Sequence, residues 1–345
     1  MRSAVLRAGK MIVRDDVEDP TAAFGQVLVE LKACGICGSD LHFAKHGATM
    51  VETMGSMRGV PDVGLTAPDL ARDVFMGHEF AAEVLEVGPD TAGPAPGTLV
   101  TSVPVMITAT GVQDLAYSNV LPGGYSERML LSAPLVMSVP NGLDARRAAL
   151  TEPMAVGLHA VNKSGIVAGE GALVIGCGPV GLAVIAALSQ RGIEPIVAAD
   201  FSPMRRSLAS AMGAHHVIDA SGADVYDAWG EHGGGRQLVV FEAVGVPGML
   251  NETLRSAPAR SRIVVVGVCM GNDQVTPIWG ISKELSLQFV LAYDLDEFSN
   301  SLSAIAEGAI DVAPMITGEV GIDGVGGAFE DLAQPDRHCK ILVTA

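Results

Sequence analysis

Apolar and polar positions up to about residue 150 follow the pattern of short β-strands. Brief apolar or alternating runs are separated by glycine, proline and acidic residues, which are typical of turns. The predicted strands cover residues 27–31, 81–87, 98–103 and 126–131. This part of the chain is therefore expected to form an all-β domain.

From about residue 169 the pattern changes to short apolar runs that alternate with segments of helical periodicity. Alternation of this kind is typical of a doubly wound α/β domain, in which helices cover both faces of a parallel sheet. We predict strands over 172–175, 196–199, 217–219, 238–243 and 263–268, and helices over 180–190, 204–212 and 248–256.

The pattern after residue 268 is less regular, with an apolar run at 285–292, a predicted helix at 297–307 and an apolar strand at 341–343. Because the tail beyond residue 293 is polar and interrupted by glycine, we expect it to return to the first domain. The predicted organisation is a first domain over 1–152, a second domain over 153–292 and a returning segment over 293–345.

Residues 172–188 carry no charge and resemble a membrane span at first sight. The run is shorter than the roughly 20 residues that cross a bilayer. Glycines and a proline also interrupt it, at a point where a strand can turn into a helix. The N-terminal residues lack the continuous apolar core of a signal peptide. We therefore expect neither a membrane segment nor a secretory signal.

Composition narrows the function classes further. The 345 residues include 22 Lys and Arg against 39 Asp and Glu, which gives a formal charge of −17. This charge disfavours nucleic acids and anionic lipid surfaces as partners, and a hydrophobic content of 49% excludes a disordered chain. The five cysteines are too few and too scattered for a disulfide framework, which indicates a reducing, cytoplasmic compartment. A small molecule is the expected partner.

A glycine-rich turn provides the first chemical signal. Gly176, Gly178 and Gly181 have the G-x-G-x-x-G spacing, after a predicted strand and before a helix that begins near Pro179 and Val180. In this motif the turn lets a dinucleotide pyrophosphate approach the backbone at the N-terminus of the helix. The alternative is a glycine turn that serves packing alone.

Asp200 ends the next predicted strand and follows the turn at nearly the spacing, about 20 residues, at which an acid accepts hydrogen bonds from a cofactor ribose. A carboxylate there repels a 2′-phosphate, so NAD is favoured over NADP. Arg205 and Arg206 weaken this preference, because a nearby arginine is how such sites admit the extra phosphate.

Possible metal ligands are spread over the first domain. Cys37, His78, Glu79 and Glu152 offer a thiolate, an imidazole and carboxylates, a set suited to zinc with an open position for water or substrate. Other interpretations stay open at this point. Cys34 and Cys37 form a C-x-x-C pair that also suits a zinc ribbon or a redox site. His78 can be a core histidine, and Glu152 can be an acidic helix start.

Several motifs occur together and in the order of a known family. The chain resembles the zinc-dependent medium-chain dehydrogenases, which include alcohol, sorbitol and threonine dehydrogenases, over nearly its whole length. The resemblance implies a GroES-like β domain that holds zinc, an inserted Rossmann domain and a C-terminal segment that returns to the first domain. Besides the glycine turn, the motifs are ACGICGSDLH at 33–42, GHEF at 77–80, GGYSE at 123–127 and TEP at 151–153.

The resemblance also implies roles for individual residues. Cys37 and His78 match zinc ligands of the family, and Glu79 matches an acid that either binds the metal or exchanges with water. Glu152 stands where alcohol dehydrogenases have a third ligand cysteine and where polyol dehydrogenases have glutamate. This departure favours the sorbitol or threonine dehydrogenase branch and leaves open which glutamate is the ligand.

Ser39 and His42 match the family's proton relay, which carries the substrate proton to solvent. The resemblance implies that zinc polarises the alcohol oxygen while hydride passes to the nicotinamide. We therefore expect reversible oxidation of an alcohol or polyol with NAD, in a homodimer or homotetramer. Two alternatives are a zinc-independent enone or quinone reductase that uses NADPH, and a non-enzymatic nucleotide-binding protein.

Two further features depart from the family pattern. Residues 87–124 contain no cysteine, whereas the family's structural zinc lobe has four, so we predict one catalytic zinc ion and no structural one. The segment between the ligands, 43–76, is unusually long and contains Met50, Met54 and Met57, then Arg58 and Pro61. These methionines either pack within an elongated loop or line the mouth of the pocket, where they would favour a bulky or apolar substrate.

Overall fold

In the computed structural model, the residues described are 1–57, 67–109, 111–334 and 336–344, without the side chain of Met54. They form two compact units, Met1–Glu152 with Ile316–Ala345 and Pro153–Met315. Residues 293–315, which the sequence pattern assigned to the returning segment, lie in the second unit. The return to the first unit begins at Ile316.

The first unit consists mainly of strands, in keeping with its short apolar and alternating runs. Its strands are β1 (Ser3–Arg7), β2 (Lys10–Arg14), β3 (Gln26–Gly35), β4 (Val74–Met76), β5 (Glu79–Val87), β6 (Leu99–Ser102), β7 (Val105–Thr108), β8 (Gly111–Asp114), β9 (Tyr117–Ser118), β10 (Arg128–Ser132), β11 (Val136–Ser138), β18 (Ile316–Val320) and β19 (Lys340–Val343). Its helices are α1 (Gly38–Ser56), α2 (Ala145–Ala148) and α10 (Val325–Leu332), with 3-10 turns at Ala133–Leu135 and Ile322–Gly324.

These strands form two main sheets. One has the order β2-β1-β4-β9, and the other has the order β11-β6-β5-β3-β19-β18 with β10 also paired to β3. The last strand of the chain is therefore internal, because β19 lies between β3 and β18. Ile341 and Val343 of β19 and Val325 of α10 pack into the same apolar core as β3 and β5. The C-terminal segment thus completes the first unit.

Part of the segment 43–76, which was expected to be an elongated loop, belongs to helix α1. This helix continues from the Cys37 region to Ser56, with a kink at His46, where φ is −128° and ψ is 19°. Met50 packs against the core of the first unit, and Met57 is exposed. The side chain of Met54, together with Arg58 and Pro61, lies outside the described residues. The described methionines therefore show a packing role for Met50 only.

The second unit alternates strands and helices, and its strands are all parallel neighbours in the order β14-β13-β12-β15-β16-β17. This is the strand order of a Rossmann fold. The strands are β12 (Gly171–Ile175), β13 (Ile196–Asp200), β14 (His216–Asp219), β15 (Leu238–Glu242), β16 (Arg262–Val265) and β17 (Ser286–Phe289). The helices are α3 (Thr151–Ser164), which begins in the first unit, α4 (Pro179–Gln190), α5 (Pro203–Ala211), α6 (Val225–His232), α7 (Met249–Ser256), α8 (Pro277–Lys283) and α9 (Leu295–Ala306), with a 3-10 turn at Ala313–Met315.

Burial within this sheet follows the position of each strand. All residues of the central strands β12 and β15 are buried, whereas all residues of the edge strand β17 are exposed. The uncharged run at 172–188 is divided between β12 and α4, so it forms a strand, a turn and a helix. Among the described residues, none of the helices combines the length and apolar character that a bilayer span requires.

Candidate functional site

Three predicted metal ligands lie together in the first unit. Ligand atoms of Cys37, His78 and Glu79 are all within 4.8 Å of one another. The sheet brings them together, because β3 and β5 are antiparallel neighbours with Gly35 opposite Glu79, so the residues after β3 meet those that begin β5. Gly35 also provides the room, since a Cβ at this position would lie 2.0 Å from Glu79 Oε2.

Glu79 is fixed by a buried cation from the other end of the chain. Lys340 Nζ donates to Oε1 and Oε2 of Glu79 at 2.8 and 2.7 Å and to the carbonyl of Ile36 at 3.0 Å. Both side chains are fully buried. Burial opposes the charged form of the amine, but the negative charge of Glu79 raises the pKa of Lys340 above its ordinary value. The pair is therefore a buried salt bridge between β5 and β19.

A second carboxylate orients His78. Asp40 Oδ2 accepts hydrogen bonds from the backbone N–H of Cys37 at 3.0 Å and from the hydroxyl of Tyr125 at 2.6 Å. Asp40 Oδ1 lies 3.4 Å from Nδ1 of His78. Burial alone lowers the pKa of His78, but Asp40 and Cys37 raise it well above its ordinary value. A carboxylate on the Nδ1 side leaves Nε2 as the nitrogen that a metal can bind.

These residues fit a zinc ion. Cys37, His78 and Glu79 supply sulfur, nitrogen and oxygen donors of the kinds that zinc prefers, in the number typical of a catalytic site with one open position. The same region buries the carboxylates of Asp40 and Glu79, of which Glu79 pairs with Lys340. A divalent ion would offset the remaining negative charge. Nδ1 of His78 and Oδ1 of Asp40 are buried without a hydrogen bond in the described part of the chain, although they face each other.

Glu152, the fourth predicted ligand, is not a member of this group among the residues that the structure describes. It lies in the first turn of α3 and is half-buried. Its position therefore agrees with an acidic helix start, and the metal-binding geometry of the first unit rests on Cys37, His78 and Glu79.

The two predicted relay residues lie on α1 beside the metal cluster. Ser39 Oγ is 3.4 Å from Nε2 of His78. His42 follows three residues later, a spacing that puts both side chains on the same side of a helix. His42 is half-buried, and this burial, followed by the positive charges of His46 and Lys45, lowers its pKa. The imidazole of His42 is therefore neutral at neutral pH.

The predicted nucleotide turn lies between β12 and α4 in the second unit. Gly176 has φ +93°, which only glycine adopts readily, and a Cβ on Gly181 would lie 1.9 Å from the carbonyl oxygen of Gly176. Gly178 is different, because the nearest atom to its Cβ position is Nη1 of Arg205 at 3.9 Å. The backbone at Gly178 is thus open to a ligand, while Pro179 and Val180 form the first turn of α4.

Asp200 ends β13 beside this turn. Its carboxylate accepts hydrogen bonds from the backbone N–H groups of Cys177 and Ser202, both at 2.8 Å. Arg206 pairs with Asp219 at 3.0 Å and donates to the carbonyl of Asp200. Nε of Arg205 is buried and has no hydrogen-bond partner within the described ranges. Asp200 therefore fixes the shape of the turn, and Arg205 is the arginine next to Gly178.

The second unit contains another group of possible ligands, His159, Asp294 and Glu297. Glu297 Oε2 accepts from the backbone N–H of Asp294 at 2.8 Å and lies 2.7 Å from His159 Nδ1. Its other oxygen accepts from Asn162 at 2.5 Å. Because this carboxylate is already bound within the unit, the group joins α3 to α9 and needs no ion.

Sequence reasoning missed four polar residues around the metal cluster. Asp40 and Tyr125 lie inside the quoted motifs, so their positions were available, but their hydrogen bond was not predictable from spacing. Lys340 and Tyr117 stand in segments without any motif, and Tyr117 packs 6.2 Å from His78 between ring centroids. Only the folded chain brings these four side chains to the ligands.

Comparisons with known proteins give a consistent result. The family models for the alcohol dehydrogenase GroES-like domain and for zinc-binding dehydrogenase match residues 23–141 and 179–307. The (R,R)-butanediol dehydrogenase of Bacillus subtilis is 32% identical and is matched over 99% of both chains. The sorbitol dehydrogenase of the same organism is 25% identical over 99% of this chain and 97% of its own. The crystal structure of the B. subtilis 2R,3R-butanediol dehydrogenase has a TM-score of 0.81 at 30% identity and covers 100% of this chain and 99% of that one.

Proposed function

Because the chain belongs to the zinc-dependent medium-chain dehydrogenase family and is an oxidoreductase of alcohols or polyols and their carbonyls, we propose a specific reaction for it. The enzyme oxidises a secondary hydroxyl of a vicinal diol or polyol to a ketone and passes the hydride to NAD. The observation that carries this proposal is the meeting of Cys37, His78 and Glu79 within 4.8 Å. Butanediol and sorbitol, in the names of two relatives, both carry adjacent hydroxyl groups.

The arrangement favours one zinc ion per chain, held by Cys37, His78 and Glu79, since the carboxylate of Glu152 lies outside the group of described ligands. Zinc bound there supplies a Lewis acid that polarises the substrate oxygen. Asp40 holds His78 in the orientation for binding, and Lys340 holds the carboxylate of Glu79 in place. Residues 87–124 contain no cysteine, so a second zinc ion is not proposed.

Ser39 and His42 move the proton that leaves the substrate hydroxyl. Ser39 stands at the cluster, 3.4 Å from His78 Nε2, and is placed to accept a hydrogen bond from the reacting hydroxyl. His42 lies one turn further along α1 and is neutral at neutral pH, so it can take up the proton and release it to solvent. The substrate carbon is thereby left to donate its hydride.

The cofactor is proposed to be NAD, bound at Gly176, Gly178 and Gly181. The open backbone at Gly178 and the N-terminus of α4 suit a pyrophosphate. Asp200 presents a carboxylate at the end of β13, where it repels the 2′-phosphate of NADP. Arg206 pairs with Asp219, so it is less available to bind a 2′-phosphate.

We propose a homodimer or homotetramer that assembles through the edge of the second unit's sheet. Strand β17 is an edge strand, and apolar side chains around it are exposed, including Ile281 at 70%, Phe289 at 60% and Leu291 at 83%. Edge strands with exposed apolar residues are typically covered by another chain. The small number and wide scatter of the cysteines in the sequence support a reducing, cytoplasmic compartment.

A substrate panel tests the reaction. The purified protein is assayed at 340 nm with diols, sugar alcohols, amino alcohols and simple alcohols, with NAD and NADP in parallel, and its zinc content is measured. We expect zinc at one ion per chain and the highest kcat/KM with a vicinal diol or polyol and NAD. Absence of zinc together with NADPH-dependent reduction of enones or quinones would replace this proposal with the zinc-independent alternative.

A further inference from the structure

Tyr117 is held rigidly at the metal cluster. It lies on β9, where Met76 of β4 is its pairing partner, two residues before His78. Its ring stacks on Phe43 of α1, with centroids 4.2 Å apart and an interplanar angle of 18°. On another side it meets His78 at a tilt of 60°, with centroids 6.2 Å apart. Two ring contacts therefore fix the direction of the phenol.

The hydroxyl of Tyr117 is buried, and within the described residues it has no hydrogen-bond partner. Tyr125 shows the contrast, because its buried hydroxyl donates to Asp40 at 2.6 Å. A buried hydroxyl without a partner destabilises a protein by about 1–3 kcal/mol, so such groups are rare unless they serve a ligand.

The surroundings of the phenol are those of the metal cluster. The charges of Asp40, His78 and Cys37 act on the phenol, and the hydroxyl of Ser39 is close enough to lower its pKa. None of these side chains meets the geometric criteria of a hydrogen bond with the phenol oxygen. Burial raises the pKa of Tyr117 well above its ordinary value, and the charge of Asp40 adds to this increase. A tyrosine hydroxyl has an ordinary pKa of about 10, so it is protonated at neutral pH and can donate a hydrogen bond.

We infer that the Tyr117 hydroxyl donates a hydrogen bond to the second oxygen of the substrate, on the carbon next to the reacting one. This inference rests on the proposed function and adds a determinant of specificity to it. A diol or 2-hydroxyketone accepts the hydrogen bond of the phenol, whereas a simple alcohol leaves the buried hydroxyl unpaired. Sites that pair a substrate hydroxyl discriminate strongly against analogues without it.

The test compares two substrates that share the reacting carbon, butane-2,3-diol and butan-2-ol. Tyr117→Phe keeps the ring and its stack on Phe43 but removes the donor. We expect the ratio of kcat/KM for the diol to that for butan-2-ol to fall about ten- to a hundredfold, with butan-2-ol itself little changed. Calorimetric titration of the zinc-loaded, cofactor-free protein should show the same loss of affinity for the diol.

Tyr226→Phe is the matched control. Tyr226 lies in α6 of the second unit, and its hydroxyl is also buried and unpaired within the part of the chain described. We expect the substrate ratio to stay unchanged in this variant, and the zinc content to stay unchanged in both variants.

Two results would overturn the inference on Tyr117 while leaving the proposed reaction intact. One is an equal loss with both substrates, which indicates a structural role, and the other is an unchanged ratio in Tyr117→Phe. A wild-type protein that binds zinc but oxidises neither butane-2,3-diol nor any other vicinal diol or polyol would instead contradict the proposed function and, with it, the inference.

Discussion

The metal cluster of the first unit is built from charged side chains, whereas the nucleotide turn of the second is built from backbone. The first unit buries Asp40, Glu79 and Lys340 completely, and each has a partner of complementary character. In the second unit the open element is the chain at Gly178, shaped by φ +93° at Gly176. The first arrangement depends on the balance of buried charges, and the second depends on glycines that leave room for a ligand. Substitutions in the two units should therefore impair the protein in different ways.

The largest effect is expected when the imidazole of His78 is removed. This variant also tests whether the metal site and the nucleotide turn work independently. His78→Ala removes a ligand, so zinc content and turnover should both fall, turnover by at least roughly a thousandfold. The dissociation constant of NADH, measured by fluorescence titration, should stay within about twofold, and Cys37→Ser should behave in the same way. Near-normal turnover in either variant would contradict the assignment of the metal site.

Charge balance in the first unit is tested by Lys340→Met. Breaking a fully buried pair leaves Glu79 uncompensated and typically costs about 3–5 kcal/mol of unfolding free energy. Denaturant unfolding of the metal-free protein should show this loss. The double variant with Glu79→Gln should recover a large part of it, because the unpaired charge is gone. Equal stability of the single and double variants would mean that the pair does not balance charge.

Backbone room in the second unit is tested by two glycine substitutions. Gly181→Ala places a methyl group against the carbonyl of Gly176 and should reduce stability by about 1–3 kcal/mol. In Gly178→Ser the new side chain enters open space, and serine is a good N-cap residue for α4. The stability of the protein should therefore be retained. Its NADH dissociation constant should nevertheless rise roughly tenfold, since the side chain obstructs the pyrophosphate. Unchanged NADH affinity in Gly178→Ser would contradict the proposal that the cofactor binds at this turn.

The smallest effect concerns the pH dependence of the relay. His42 must be neutral to accept a proton, and its pKa lies below the ordinary value because of burial and of His46 and Lys45. Alcohol oxidation should therefore be constant around neutral pH and should decline as the pH falls through this lowered pKa, below about 6.5. His42→Gln should lose this decline and run several-fold slower at pH 8. An identical pH profile in the variant would exclude His42 from the relay.

The second unit was largely predictable from sequence, because its signals are local. Strand, glycine turn and helix follow one another within residues 171–190, and the uncharged run marks the buried centre of the sheet. The spacing of Gly176, Gly178, Gly181 and Asp200 then predicts a nucleotide site without knowledge of distant contacts. The bonding of Asp200 to Cys177 and Ser202 was not predictable, because it depends on side-chain rotamers.

In the first unit the meeting of Cys37, His78 and Glu79 was predictable, but the contacts that support them were not. Cys37 and His78 stand in recognisable motifs, whereas Lys340 lies 261 residues from Glu79 in the sequence and follows no motif. The helical continuation of α1 to Ser56 was also missed, since its apolar residues do not follow a clear helical period. Contacts between remote segments are fixed by sheet register, and spacing in the sequence carries little information about them.

The place of Lys340 in β19 has a consequence for how the protein is made. The ribosome completes residues 153–315 before it synthesises β18 and β19. At translation rates of ~5–20 residues per second, the nascent first unit then waits on the order of ten seconds for its last two strands. During that interval Glu79 has no ammonium group beside it, and β3 lacks one of its neighbours. Completion of the first unit around Glu79 therefore depends on strands that are synthesised after the second unit, although Cys37 and His78 precede that unit.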